Sequence, residues 1–177
     1  EAAPLIREAL EARRATLGDR HPSTLISINN MASLLQAQGK LEEAAPLLRE
    51  ALAAKREVLG ERHPSTLASM NNLALLLKAQ GRLEEAAPLF REALAARREV
   101  LGERHPETLA SINNLAALLQ DQGRLEEAAP LYREALAARR EVLGERHPHT
   151  LSAMDSLAAT LSEQGKHGSE EATRREE

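Results

Sequence analysis

The sequence predicts an all-α fold, a solenoid of stacked antiparallel helix pairs, and three observations carry that expectation. The chain repeats itself every 42 residues: 61–102 and 103–144 differ at six of 42 positions, and 19–60 aligns with both at the same spacing. All eight prolines fall into two series with that period, 4/46/88/130 and 22/64/106/148, and the glycines do the same at 18/60/102/144 and 39/81/123/165, with only Gly168 out of phase. Between these marks the apolar residues follow helical spacing, not strand alternation. A period in the range of about 20–50 residues means supersecondary units that cannot bury an apolar face alone but can do so against their neighbours.

Each repeat divides into two amphipathic stretches. The first, helix A, is predicted from Pro22 to Gln38, with Leu25, Ile28, Met31, Ala32, Leu34 and Leu35 as its apolar positions. Proline suits the first helical position, where its missing N–H has no intrahelical partner; His21 before it is the expected cap, and Gly39 suits the left-handed residue that stops the helix. The second, helix B, is predicted from Leu41 to about Leu59. It is rich in strong helix formers, has Glu42 and Glu43 at its positive end and Lys55 and Arg56 near its negative end, and stops at Gly60. Pro46 lies about one turn inside helix B, which predicts one lost backbone hydrogen bond and a mild bend in every repeat.

These residues resemble the tetratricopeptide family, whose pattern Trp-x2-Leu-Gly-x2-Tyr followed by Ala-x3-Phe is matched in size and spacing by Ile28, Met31, Ala32, Leu35, Ala44 and Leu48. The match recurs at Met70, Leu73, Ala74, Leu77, Ala86 and Phe90, and at Ile112, Leu115, Ala116, Leu119, Ala128 and Tyr132. The closing proline of the 34-residue form would fall near Arg56 but arrives here as Pro64, so helix B is longer by about two turns. With Asn-Asn-Leu-Ala and Glu-Arg-His-Pro, this is how the repeats of kinesin light chains look. The resemblance covers about residues 1–165 and implies a right-handed superhelix whose A helices line a concave groove.

The repeat frame gives a tally: 1–18 are helix B alone, 19–60, 61–102 and 103–144 are whole repeats, and 145–165 are helix A alone. The opening residues start in the middle of the pattern, as in a fragment of a longer chain. After Gly165 the chain reads His167-Gly168-Ser169-Glu-Glu-Ala-Thr-Arg-Arg-Glu-Glu, with no leucine to seat a second helix, and 166–177 are expected to be frayed or disordered.

Composition narrows the function. Without cysteine there is no disulfide, thiol nucleophile or Cys-ligated metal, so nothing depends on a redox compartment, and a cytoplasmic location is the expectation. Mean hydropathy is −0.41 and no apolar run approaches the ~20 residues of a membrane span, so no membrane partner is expected. A net charge of −4 and two aromatics argue against nucleic acid. His21, His63, His105 and His147 recur by translation, so their rings run parallel about 10 Å apart and do not converge on a metal. His149 adds a ring at one repeat only, with nothing to complete a metal site. Glu42–Glu43 and their copies lie in first turns, where anions are favoured, and the pairs Arg13–Arg14, Lys55–Arg56, Arg97–Arg98 and Arg139–Arg140 are read as complements of helix C-termini on a solvated face. No phosphate loop and no nucleophile–base set occurs outside the repeat, so no catalysis, cofactor or metal is expected.

What remains is the stripe of helix A that does not face inward: Ile26, Asn29, Ser33, Gln36 and Ala37, then Ala68, Asn71, Leu75, Lys78 and Ala79, then Ala110, Asn113, Ala117, Gln120 and Asp121. The resemblance implies that this stripe is the binding surface. An asparagine donates and accepts, so Asn29, Asn71 and Asn113 at about 10 Å intervals match the backbone amides of an extended peptide; the alternative is that they or Asn30, Asn72 and Asn114 bond between repeats. The expected peptide-binding residues are Asn29, Asn71, Asn113, Ser33, Gln36, Lys78 and Gln120, in a non-catalytic scaffold for a protein or peptide partner. Two alternatives stand beside it: a head-to-tail self-assembling or spacer array, in which one copy's first helix B completes another's last helix A, and the partner-sensing arm of a larger signalling protein such as an NTPase.

Overall fold

The structure, a computed structural model, describes residues 2–176 and their side chains over 4–166. Across these residues eight helices follow one another: α1 Ala2–Leu17, α2 Pro22–Ala37, α3 Leu41–Leu59, α4 Pro64–Ala79, α5 Leu83–Leu101, α6 Pro106–Asp121, α7 Leu125–Leu143 and α8 Pro148–Glu176. The chain divides into two compact units, Glu1–Ala96 and Arg97–Glu177. In the first, α1 packs on α2, α2 on α3 and α3 on α4; in the second, α6 packs on α7 and α7 on α8. Turns of three or four residues join these helices, so sequence neighbours run antiparallel. The fold class is the all-α stack of helix pairs that the repeat predicts.

The punctuation acts as expected. His21 is extended at φ −67°, ψ 137°, and its Nδ1 accepts the Ser23 N–H at 3.2 Å; His63, His105 and His147 accept from Ser65, Glu107 and His149 at 3.1–3.2 Å. Each cap satisfies an N–H that the first turn leaves without a helical partner. At the other end helix A stops at Ala37, one residue earlier than predicted, with Gln38 as cap. The Gly39 N–H bonds Gln36 O at 2.9 Å and the Lys40 N–H bonds Leu35 O at 2.8 Å, a Schellman turn in which Gly39 sits at φ +74°. Helix B runs unbroken through Pro46, Pro88 and Pro130, all three exposed, so the missing donor lies on the solvent side.

Small residues set the packing. Ala32, Ala44 and Ala51, with their copies Ala74, Ala86, Ala93, Ala116, Ala128 and Ala135, are wholly buried. A buried methyl lets packed helices approach more closely than a larger side chain would, interaxial distances of about 8–10 Å depending on the side chains between them. Beside them Leu48, Phe90 and Tyr132 occupy one equivalent position and are all buried, which is where both aromatics of the chain go.

Helix α8 runs from Pro148 to Glu176, past the position where Gly165 repeats Gly39. Gly165 has no positive φ, unlike the glycines that close the other A helices. A Schellman turn is worth forming where an apolar helix B follows to fold back, and none follows Gly165; Glu170, Glu171, Ala172, Arg174 and Arg175 are instead good helix formers.

The two glycine settings give opposite predictions. A Cβ at Gly81 meets nothing within 4 Å, so Gly81→Ala is strained by its φ of +74° alone and should lose about 1–2 kcal/mol. A Cβ at Gly165 also meets nothing, but in helical backbone, so Gly165→Ala should gain about 0.5–1 kcal/mol. Urea unfolding should therefore move the midpoint down for the first and up for the second.

Candidate functional site

The A helices are held by a lock that sequence reading missed. At the end of helix B, the first basic residue of the first three pairs reaches a serine on the next helix A: Arg13 donates to Ser27 Oγ, Lys55 to Ser69 Oγ at 2.7 Å and Arg97 to Ser111 Oγ at 2.5 Å. Three residues before each serine a buried threonine donates back to the same helix B, Thr24 to Arg13 O at 3.5 Å, Thr66 to Lys55 O and Thr108 to Arg97 O at 3.4 Å. Arg13 stays exposed and Lys55 is half-buried, but Arg97 and its counterpart Arg139 are not on a solvated face. Arg97 is 5% and Arg139 8% exposed, and burial pushes Lys55, Arg97 and Arg139 below their ordinary pKa, with the Glu107 carboxylate partly offsetting this at Arg97.

The second basic residue of each pair does face outward, but toward the next B helix. Arg14 pairs with Glu50 at 2.6 Å, Arg56 with Glu92 at 2.9 Å and Arg98 with Glu134 at 2.5 Å. Such part-exposed pairs contribute modestly to stability. They link each helix B to the next one along the stack.

On the A helices the predicted stripe is present and uneven. In the first unit, Ile26 and Leu75 are exposed, at 58% and 41%; Ser33 is exposed; and Asn29, Asn71, Gln36 and Lys78 are half-buried. In the second unit, Asn113 and Gln120 are half-buried. The neighbours Asn30 and Asn72 are the more exposed asparagines. The Oδ1 atoms of Asn29 and Asn113 are buried and accept no hydrogen bond from the described residues. An acceptor left so loses about 1–3 kcal/mol until a donor reaches it. Asn71 and Lys78 have partners.

Gln120 belongs to the packing. Its Nε2 donates to Glu163 Oε2 at 3.1 Å, and its Oε1 accepts from Tyr132 Oη at 3.4 Å and Thr160 Oγ1 at 3.3 Å, joining α6, α7 and α8. Among the described residues no group of His, Asp and Glu is placed to hold a metal ion, and no helix is long and apolar enough to cross a membrane.

The lock recurs from one helix pair to the next while the outward side chains change, which defines a helical-repeat protein in which the frame is constant and the face is variable. The chain belongs to the tetratricopeptide repeat family: that family's model matches residues 1–57, 24–99, 65–141 and 107–173. Two structures of a Podosopora anserina protein described as a putative kinesin light chain with nearly identical tetratricopeptide-like repeats are similar to it. One is 32% identical with a TM-score of 0.84, covering 95% of this chain and 80% of that one. The other, of a variant with one residue replaced by methionine, is 30% identical with a TM-score of 0.85, covering 99% and 82%. BtubC (BKLC) from P. vanneervenii is 26% identical with a TM-score of 0.80, over 96% of this chain and 67% of that one. Among curated proteins none matches. The repeats are thus of the 42-residue, kinesin-light-chain-like form, and tetratricopeptide repeats are in general a protein-interaction scaffold.

Tyr132 gives the second unit a pH dependence of known sign. Burial, and then the charge of Asp121, push its phenol above the ordinary 10.0. Above that pH the unfolded chain releases the proton first, so folding stability should fall as pH rises. Tyr132→Phe, the residue its neighbour repeat has at Phe90, should flatten the fall above about pH 10 in parallel unfolding titrations.

Proposed function

We propose that this chain is a non-catalytic scaffold whose A helices bind a peptide segment of a protein partner. The observation that carries the reading is the pair of buried asparagine oxygens, Asn29 Oδ1 in the first unit and Asn113 Oδ1 in the second, each without a donor among the described residues. A peptide backbone N–H is a donor of the right kind, and the amide Nδ2 of the same side chain offers a hydrogen to the peptide carbonyl. Asn71 holds the equivalent position on α4. Around them Ser33, Ala37, Ala68 and Ala79 are small, which leaves a backbone room to approach, and Ile26 and Leu75 offer apolar surface to peptide side chains. Gln120 is engaged in packing, so Asn113 bears more of the recognition on α6 than Gln120 does. A cytoplasmic location accords with the cysteine-free sequence.

The test is a displayed-peptide selection on the parent and on Asn29→Ala/Asn71→Ala/Asn113→Ala, after both are shown to melt alike. The parent should retain peptides that the triple variant binds at least about tenfold more weakly, since each lost hydrogen bond contributes roughly 1 kcal/mol. If both retain the same peptides, or neither retains any, the asparagine face is not the recognition surface.

A head-to-tail array is a second reading, and two side chains favour it. Leu151 and Leu161 on α8 are 47% and 39% exposed, whereas their counterparts Leu25, Leu67 and Leu109, and Leu35, Leu77 and Leu119, are at most 5% exposed. Helix α1 of a second copy carries the helix-B sequence that follows helix A in the whole repeats. Sedimentation should then show mass rising with concentration in the parent and not in Leu151→Glu/Leu161→Glu; a constant monomer mass in the parent rejects the array.

A further inference from the structure

The junction of α7 and α8 has lost the partners that satisfy its buried arginine. Arg139 is the counterpart of Arg97, and the residue is nearly as deeply buried. Arg97 is met by a carboxylate, Glu107 at 3.3 Å, and by the Ser111 hydroxyl at 2.5 Å. One repeat later those positions are His149 and Ala153, so both partners are gone. Arg139 keeps one long bond, to Leu109 O at 3.5 Å, and no ion pair among the described residues. The threonine half of the lock is open too: Thr150 is wholly buried and its Oγ1 has no partner among the described residues, where Thr24, Thr66 and Thr108 bond the preceding helix B.

A cavity of about 330 Å³ lies at this place, formed by the start of α6, the end of α7 and the start of α8. Arg139, Arg104, His147 and His149 line it, with Leu109 and Val142 among its apolar walls. The two imidazole rings are 5.2 Å apart and tilted by 41°. Arg104 is neutralised by Glu141 at 2.5 Å, which leaves Arg139 as the arginine of this cavity without a counter-charge among the described residues. The cavity also adjoins the positive end of the α8 dipole.

We propose that this cavity is a carboxylate-binding subsite, in which Arg139 takes from a ligand the carboxylate that Glu107 gives to Arg97. The planar guanidinium fork matches a carboxylate with two parallel N–H···O bonds. The apolar walls select a carboxylate borne on a short alkyl chain, and the volume, at the lower end for ligand pockets, fits a group of that size. This inference stands on the second unit alone and does not rest on the asparagine face.

The experiment is an NMR titration of the full chain at constant ionic strength, following the Arg139 Nε–Hε and His149 signals, with butyrate, butyramide and inorganic phosphate as probes. Butyrate should shift both signals saturably, with butyramide about tenfold weaker or silent and Arg97 unmoved. His149→Glu/Ala153→Ser rebuilds the chemistry of the preceding repeat; it should melt higher than the parent and bind butyrate about tenfold more weakly, because its own carboxylate occupies the site. Equal shifts from butyrate and butyramide, no shift from either, or an unchanged response in the double variant would overturn the proposal. A stronger response to phosphate than to butyrate would also overturn it, by assigning the cavity to a tetrahedral anion.

Discussion

A helix pair of this repeat cannot bury its own apolar stripe, and what lets neighbouring pairs bury it for each other is the close approach that alanine allows. Ala32, Ala44 and Ala51 and their copies have no exposed surface, and a larger side chain there would overpack the core at a cost of about 1–3 kcal/mol. Once the axes are that close, the ends of helix B come within reach of the next helix A. The Arg13–Ser27, Lys55–Ser69 and Arg97–Ser111 bonds, and the threonine bonds beside them, follow from this spacing. The lock therefore depends on the alanines, and the orientation of the outward face depends on the lock.

Desolvation explains why the lock needs hydroxyls. A guanidinium or ammonium at a helix end in water needs no particular partner, but Arg97, with only 5% of its surface exposed, has lost most of its hydration. Serine offers an acceptor that fits between packed helices without bringing a second charge. At Arg97 the Glu107 carboxylate supplies the charge from the partly exposed rim.

Much of the frame was legible in the sequence because it is written in residues with one strong local consequence. Proline at the first helical position, histidine before it and glycine after the last turn fix helix ends by backbone chemistry, and Pro22–Ala37 and Leu41–Leu59 follow. What was not legible depends on neighbours. Arg97 and Arg139 occupy positions where a basic residue complements a helix C-terminus, and only the packing of the following helix A turns them inward. Gly165 sits in phase with Gly39, yet a glycine ends a helix only where the chain gains by turning back, and the residues after it offer no apolar face to return. The asparagine stripe was legible as a face, but not that Asn29 and Asn113 would have their oxygens buried, or that Gln120 would be drawn into packing by Tyr132, Thr160 and Glu163.

In an array of near-identical units, a departure from the repeat marks a place where the stacking alone does not dictate the residue, just as the shared asparagine oxygens without a donor do on the A helices. The Asn-Asn pair becomes Asp155-Ser156 in α8, so the asparagine face ends at Asn113. The lock serine changes at the same helix, Ser111 giving way to Ala153, and the carboxylate that only the preceding repeat has, Glu107, gives way to His149, while Arg139 is retained. Losing both partners of a buried cation destabilises the junction unless something else supplies the charge, and the cost is larger than that of losing the cation as well. A retained arginine beside two lost partners thus marks a junction whose stability is coupled to what occupies the cavity, since a ligand that binds only the packed form of α7 and α8 stabilises that form by mass action.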